Sequence, residues 1–309
     1  SYLNKDTYYW VNLAGGTRYM ALAVQQVFEK FHTDFFYVQV EENLIVNSIF
    51  NDSINDDDDL FFPIHHRMSI AEYLCAHDIQ HNLNEEGHRP IRSEAETNHV
   101  FKLFSKQMLP SQDYETMERL RLYYRNRKRV QIKTVETTGS FNSPAVPGLS
   151  RFLFDIEFVP ETKGILTHEE LEYLTGGWFE EYVFHLVSKY VKPQDIAINV
   201  VISRQGVRHN NELDVVFTKG NKLFVVECKT GVQTERLFNE IVYKVCAISE
   251  ALLGVSCNSY IFSLKKDDSD VLKRIADNMG ITFVDNNILT TPRKMQLAMA
   301  KINILSYFK

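Results

Sequence analysis

Between residues 212 and 229 the chain alternates in a way that calls for two strands and a turn. Leu213, Val215 and Phe217 precede Gly220-Asn221, and Phe224, Val226 and Cys228 follow it. That dipeptide suits the tight two-residue turn of an antiparallel hairpin. With such a turn, Lys219 lies opposite Lys222, Asp214 opposite Glu227, and Glu212 opposite Lys229. Side chains alternate between the faces of a strand. The six apolar residues therefore share one face, and Glu212, Asp214, Glu227 and Lys229 share the other. Val216 and Val225 fall on that polar face as well, so both faces are expected to be covered. Elsewhere, apolar spacing predicts a buried strand over 8–14, a helix over 18–31, and strands over 35–40 and 44–50. It predicts a helical stretch from Ser69, helices over 94–109 and 113–128, and a strand over 152–159. A helix from Thr167 to about Tyr190, broken at Gly176-Gly177, is followed by a strand over 196–202. After the hairpin come a helix over 235–253, strands at 261–262 and 281–284, and a closing helix over 292–305.

Two kinds of organisation emerge. Strand, Gly15-Gly16-Thr17 turn, helix and strand make a βαβ unit of a parallel sheet. Helix, three strands, helix and strand make a second α/β layer in the C-terminal half. Pro110-Ser111 separates the two middle helices, and residues 139–150, rich in Gly, Ser and Pro, read as a linker. The expected division is 1–90, a connector over 91–165, and 166–309; a chain of 309 residues has room for it.

Composition adds constraints. With 44% apolar and 24% charged residues the chain is ordinary for a soluble globular protein. It has no run of 18 apolar residues and no basic-then-apolar start, so neither a membrane span nor a signal peptide is expected, and the cytoplasm is the expected compartment. Cys75, Cys228, Cys246 and Cys257 form no CxxC pair and are expected to be reduced thiols without zinc. A net charge of −6 does not by itself suggest a nucleic-acid partner. Its distribution does more: Arg119, Arg121, Arg125, Arg127, Lys128, Arg129 and Lys133 run without an intervening acid. They form either a solvated helix face or a track for a phosphate backbone. Asp56–Asp59 reads as a solvated loop, since consecutive carboxylates do not converge.

The hairpin's carboxylates need a reason. Directly opposed residues have Cβ atoms about 4.5–5.5 Å apart, and like charges there repel. Two ordinary ion pairs on a solvated face would be one account. A divalent cation is the other, and carboxylate oxygens suit Mg²⁺ or Mn²⁺. Lys229 would then orient a water or stabilise a charged oxygen. On the preceding helix, Phe179, Val183 and Leu186 define the buried side. Glu180 borders it and is the chosen third acid, with Glu181 expected to face solvent. The Gly15-Gly16-Thr17 turn offers free N–H groups at a helix start, where an anion is favoured, and Arg18 adds a positive charge. A tight turn with Thr17 as N-cap is the structural alternative.

Asp214 followed by Glu227-Cys228-Lys229 resembles the catalytic signature of the PD-(D/E)xK nucleases, with Leu213 in place of the proline. The resemblance implies an acid on a preceding helix, where Gly176–Val183 stands, and supports Glu180. It implies metal ligation by Asp214, Glu227, Glu180 and the Cys228 main-chain carbonyl, with Lys229 assisting attack of water on a phosphodiester. Asn12-Leu13-Ala14-Gly15-Gly16-Thr17-Arg18-Tyr19-Met20 resembles the ligand-binding turn of CARF domains. That likeness implies that Asn12, Gly15, Gly16, Thr17 and Arg18 contact a cyclic oligoadenylate. Together the two segments, about 8–50 and 167–265, are similar to the CRISPR ancillary nucleases of the Card/Can type. The implied fold is α/β: a Rossmann-like CARF domain, then a restriction-endonuclease-like αβββαβ domain. The implied protein is a homodimer of type III antiviral defence. Cyclic tetra-adenylate would activate it to cut single-stranded RNA or DNA, or to nick duplex DNA. In that family the glycine turn comes well into the chain, whereas here it begins at residue 15, so the N-terminal part of the sensor is expected to be missing or to be supplied differently. A repair or restriction-type endonuclease without a second messenger would use the same chemistry. A sensor with an inert nuclease fold is disfavoured by the complete Asp…Glu-x-Lys set.

Overall fold

The computed structural model describes residues 3–15, 17–39, 44–47, 61–128, 134–136, 146–162, 165–204, 210–231, 235–248, 257–266 and 270–305. Asp56–Asp59, Gly16, the basic residues 129–133 and the stretch 139–145 lie outside them.

The first sheet contains β1 (Tyr8–Asn12), β2 (His32–Gln39), β3 (Leu44–Asn47) and β4 (Phe61–Pro63), side by side in that order. Helix α1 (Arg18–Phe28) joins β1 to β2, and the two strands pair in parallel from Tyr8 opposite His32 to Asn12 opposite Phe36. This is the expected βαβ unit; β3 and β4 then add antiparallel. β1 is not the buried strand that its composition suggests. Its alternation turns Tyr9 toward α1, against Phe28 at a ring separation of 5.3 Å. Tyr8 and Trp10 take the other face and remain 62% and 58% exposed.

The second sheet has six strands in the order β12-β11-β10-β9-β8-β5. Its edge strand β5 (Ile79–His81) and the helix α2 (Ile70–Ala76) come early in the chain. Ile70, Leu74 and Ile79 join Val200 and Ile202 in one apolar cluster, so this part of the expected 1–90 unit packs on the second sheet. The middle of the chain supplies α3 (Glu94–Ser105), α4 (Ser111–Lys128), β6 (Thr134–Glu136), α5 (Leu149–Asp155), β7 (Ile165–Thr167) and α6 (His168–Glu172). A π-helical turn, Tyr173–Gly177, leads into α7 (Trp178–Tyr190). Then follow β8 (Asp195–Arg204), β9 (Asn211–Lys219), β10 (Lys222–Lys229), α8 (Glu235–Ile248) and β11 (Cys257–Ser263). Helix, three strands, helix and strand thus stand in the expected order. The chain closes with α9 (Val271–Asn278), β12 (Thr282–Val284), α10 (Asn286–Thr290) and α11 (Pro292–Leu305).

Residues 152–159 are not a strand. Leu149, Phe152, Leu153 and Ile156 recur at helical spacing, and each is at most 2% exposed. They form the inner face of α5 and its C-cap. The end of the expected linker is core as well: Val146 and Leu149 are each 1% exposed. Gly148, at φ 86°, comes so close to α4 that a Cβ there would lie 2.7 Å from the Thr116 hydroxyl. One apolar cluster runs from α3, α4 and α5 through α7 to the inner face of β9, β10 and β11. The connector helices and the second sheet therefore share a core.

Candidate active site

The β9–β10 hairpin has the register its turn predicts, from Lys219 opposite Lys222 to Val215 opposite Val226. Gly220 and Asn221 both have φ 58°, as the tight turn requires. The sharing of faces does not continue past Asp214. Val215 and Phe217 pack with Phe224, Val226 and Cys228, as expected. Leu213 does not join them; it packs in the opposite cluster with Val216, Val200 and Ile202. The cause lies across the sheet, where Asn199 on β8 adopts φ 53°. Ile198 pairs with Val215 and Val200 with Leu213, but Asn199 and Asp214 between them are out of the ladder. Both strands reverse their faces at that point, and Asp214 sits on the reversal.

Freed from the ladder, the Asp214 carboxylate accepts the Cys228 main-chain N–H at 2.7 Å. Lys229 Nζ lies 3.5 Å from Asp214 Oδ2 and 2.7 Å from Glu227 Oε1. Lys244 on α8 reaches the same Glu227 oxygen at 3.1 Å. Glu227 is only 3% exposed, and these two ammonium groups are its ion-pair partners. Burial, then the neighbouring Glu227, pushes the Asp214 carboxyl up to about 6, against the pull of Lys229 and the Cys228 amide. Burial opposes the charge on Lys229, yet Asp214 and Glu227 together raise its pKa. Two acids and one lysine thus hold one another in place.

Glu180, in the first turn of α7, belongs to the same electrostatic neighbourhood. Burial, then Asp214, Glu172 and Glu212, hold its carboxyl well above the usual range. Glu181 does not face solvent as expected. It is 4% exposed and accepts main-chain N–H groups of Ile91 and Arg92 at 3.0 and 3.1 Å. Nothing in the helical pattern distinguishes this use from solvation, because its partners lie some ninety residues earlier in the chain. The two glutamates should therefore fail differently. Glu181→Ala strips two part-buried amides of their acceptor, at about 1 kcal/mol each, and should lower the melting temperature by several degrees. Glu180→Ala removes a carboxyl whose ionised form burial and its acidic neighbours oppose, and should leave melting unchanged or higher while cleavage is lost. Calorimetric scans of both variants check this; equal melting temperatures would undo the assignment.

Three further residues complete the picture. Glu172 ends α6 and is one of the acids that raise the Glu180 carboxyl. Lys244 stands on the helix predicted over 235–253, and only the fold brings it to Glu227. Arg121, one of the basic run on α4, is a clamp. Its Nε donates to the Thr175 carbonyl at 3.0 Å, and one Nη donates to the Thr230 hydroxyl at 3.2 Å. Thr175 lies in the π-helical turn before Glu180, and Thr230 follows Lys229. Such turns interrupt the regular hydrogen-bond ladder, which leaves this carbonyl to Arg121.

In the first sheet, Asn12 Oδ1 accepts the Ala14 N–H at 2.9 Å, and Thr17 caps α1 by accepting the Met20 N–H at 3.3 Å. The cap of the structural alternative is therefore formed. Gly15 has open space around the position of a Cβ, and Arg18 is exposed at the helix start.

Residues 1–73 match the family model of the Card1 CARF domain, and residues 167–299 match that of the Card1-like endonuclease domain. The chain resembles the crystal structure of protein VC1899 from Vibrio cholerae at a TM-score of 0.67 and 20% identity, over 97% of this chain and 77% of that one. It also resembles Can2 from Sulfobacillus thermosulfidooxidans, solved in complex with cyclic tetra-adenylate, at a TM-score of 0.61 and 23% identity, over 94% and 75%. No curated protein matches. The chain thus carries a Card1-type CARF domain followed by a Card1-like endonuclease domain.

Proposed function

We propose that this protein is a metal-dependent endonuclease switched on by cyclic tetra-adenylate. The observation that carries the catalytic half is the coupling of Asp214 and Glu227 through Lys229 at the open end of the hairpin. The donor chemistry fits a hard cation. Asp214, Glu227, Glu180 and the Cys228 carbonyl offer oxygen alone, and repulsion among the acids is what a cation relieves. Among the described residues no three acidic, His or Cys side chains are grouped closely enough to hold a metal ion by themselves; Lys229 and Lys244 carry the neutralising charge. Mg²⁺ or Mn²⁺ bound there would supply an activated water and charge neutralisation. Asp214 and Glu227 then hold position, while the Lys229 ammonium stabilises charge developing on the phosphate oxygens.

The sensing half rests on the CARF match and on the ligand of Can2. Asn12, Gly15, Gly16, Thr17 and Arg18 are assigned to the cyclic oligoadenylate. A ring-shaped activator can touch that turn in two subunits at once, which favours a symmetric homodimer. Nucleic acid is the substrate partner, and single-stranded RNA, single-stranded DNA and nicked duplex are its candidate forms. The cytoplasm is the assigned compartment; among the described residues no helix is long and apolar enough to cross a membrane.

The direct test incubates the full chain with Mn²⁺ and labelled single-stranded RNA, single-stranded DNA and plasmid, with and without each cyclic oligoadenylate. Cleavage only with cyclic tetra-adenylate is expected. Equal cleavage without it would leave an unregulated nuclease, and no cleavage of any substrate would remove the catalytic reading. Metal affinity should also depend on pH. A ligand must be deprotonated to bind, and Asp214 is raised to about 6. Calorimetric Mn²⁺ affinity should therefore climb as pH rises from 5 toward 7 and level off above it.

A further inference from the structure

One edge of β8 pairs with β9, which carries Asp214, and the other faces an early part of the chain. On that outer edge β5 covers Ile202–Arg204 in regular antiparallel register. Beyond it the segment 82–92 takes over. The Asn82 N–H donates to the Val201 carbonyl at 3.3 Å, and the Val201 N–H donates to the Asn82 side-chain oxygen at 2.8 Å. After a loop that ends at Gly87, with φ 101°, His88 returns to the edge. Its carbonyl accepts the Ile198 N–H at 3.2 Å, and its ring Nδ1 lies 3.0 Å from the Ile198 carbonyl. Its Nε2 lies 2.8 Å from the Asn82 carbonyl. Both partners are carbonyls, which only accept, so each ring nitrogen is placed to donate.

We propose that His88 is a positioning residue for the candidate active site: by tying the Ile198 carbonyl to the Asn82 carbonyl, it holds the strand reversal that presents Asp214. Positions of a regular strand that face the same way are an even number of residues apart. Ile198 and Val201, whose main-chain groups both turn to the segment 82–88, are three apart. The odd residue falls between them, where Asn199 takes φ 53° and stands out of the ladder opposite Asp214. A residue other than glycine in the left-handed region is held there by its surroundings. His88 before Asn199 and Asn82 after it supply that hold, and the His88 ring joins the two. The ring is buried, which shields its bonds from water. The same segment runs on to Ile91 and Arg92, whose amides hold Glu181 beside Glu180. One strap thus braces both the strand that faces Asp214 and the helix turn that carries Glu180. This role rests on the nuclease reading, and it adds the residue that sets one of its acids in place.

The test compares the full chain with its variants His88→Ala, His88→Asn and His88→Gln. An asparagine amide nitrogen falls near the place of Nδ1 and still reaches the Ile198 carbonyl. A glutamine amide nitrogen falls near the place of Nε2 and reaches only that of Asn82. Hydrogen exchange, recorded without metal, is read at the Cys228 amide, which donates to Asp214 at 2.7 Å, against residues 222–226 of the same strand. Cleavage is measured with Mn²⁺ and cyclic tetra-adenylate on labelled single-stranded RNA, single-stranded DNA and plasmid. In His88→Ala and His88→Gln, Cys228 should exchange about tenfold faster relative to 222–226, and kcat should fall about tenfold at an unchanged KM. His88→Asn should stay near the parent in both. If His88→Ala does not fold, the asparagine and glutamine variants decide alone. Cys228 exchange equal to that of the parent in every variant overturns the role. So does a gain shared equally by 222–226, which makes His88 a matter of stability alone. Equal behaviour of the asparagine and glutamine variants overturns it too, because the bond to Ile198 is then not the one that matters. A parent that cuts no substrate removes the nuclease reading, and the exchange at Cys228 still decides whether His88 holds Asp214.

Discussion

Glu227→Ala should abolish cleavage, by on the order of 10³-fold, the loss typical of removing a principal electrostatic group from a catalytic site. Glu227 is 3% exposed and touches both Lys229 and Lys244 through one oxygen. Its removal takes away a candidate ligand and also leaves two ammonium groups without their shared partner. Glu227→Gln keeps the shape and removes only the charge, so it should be nearly as inactive with less structural cost. Asp214→Asn separates the two effects more sharply. Asp214 titrates near 6 in the folded chain, against an ordinary value of 3.8. A raised acid of this kind favours the fold while protonated, and that advantage disappears as pH rises from about 4 to 6. Above pH 6 the ionised group therefore costs stability, and Asp214→Asn should melt higher than the parent at pH 7.5. Near pH 4 the difference should vanish. The decisive measurement pairs cleavage rate with melting temperature at both pH values. An inactive variant that melts lower at pH 7.5 would mean that Asp214 serves the fold, and an active one would end the site assignment. Binding of cyclic tetra-adenylate should be unaffected in all three.

The second large effect is expected at Arg121. This residue touches no carboxylate of the hairpin, yet it joins the carbonyl of Thr175 to the hydroxyl of Thr230. It thereby fixes the start of α7, which carries Glu180, against the end of β10, which carries Lys229. Misplacement of catalytic groups by about 1 Å can cost some 10²-fold in rate. Arg121→Ala should lower the activated rate by about that factor and leave KM and activator affinity near the parent values. Arg121→Lys can reach one acceptor but not span both in the planar fork of a guanidinium, and should recover only part. A proportional rise in KM with unchanged kcat would instead make Arg121 a substrate contact. Because α4 shares its core with α7 and the sheet, a displacement of the connector would bear on the bonds of this residue. Hydrogen exchange at Thr175 and Thr230, with and without cyclic tetra-adenylate, tests that directly.

Much of this arrangement was legible in the sequence because it is local. The turn at Gly220-Asn221 sets its own register, and the βαβ unit follows from a glycine turn between two apolar runs. What was not legible depends on distant partners. The outward reading of Glu181 fails because its hydrogen-bond donors, Ile91 and Arg92, arrive from another part of the chain. The 152–159 strand fails for a different reason: Leu149, Phe152, Leu153 and Ile156 carry a helical period, visible only if the preceding Gly148 is taken as the start of an element and not the end of a linker. Strict alternation predicted Leu213 on the face of Val215. It could not foresee that Asn199 on the neighbouring strand would adopt a left-handed conformation and turn both strands over. Lys244 and Arg121 were visible as cations, but which cations approach an acid is a property of the assembled sheet.

The hydrogen bond from the Cys228 amide to Asp214 divides position 228 between two owners. Its side chain is core, 6% exposed, and burial pushes its thiol pKa well up, so it is a poor target for alkylation or oxidation. Its amide is the anchor of a reactive acid. Valine or isoleucine at 228 would satisfy the first owner without troubling the second, whereas proline, with no N–H to give, would deprive the second whatever it did for packing. An engineer seeking a silent variant and one seeking a dead enzyme would thus both do well to begin at the same unremarkable cysteine.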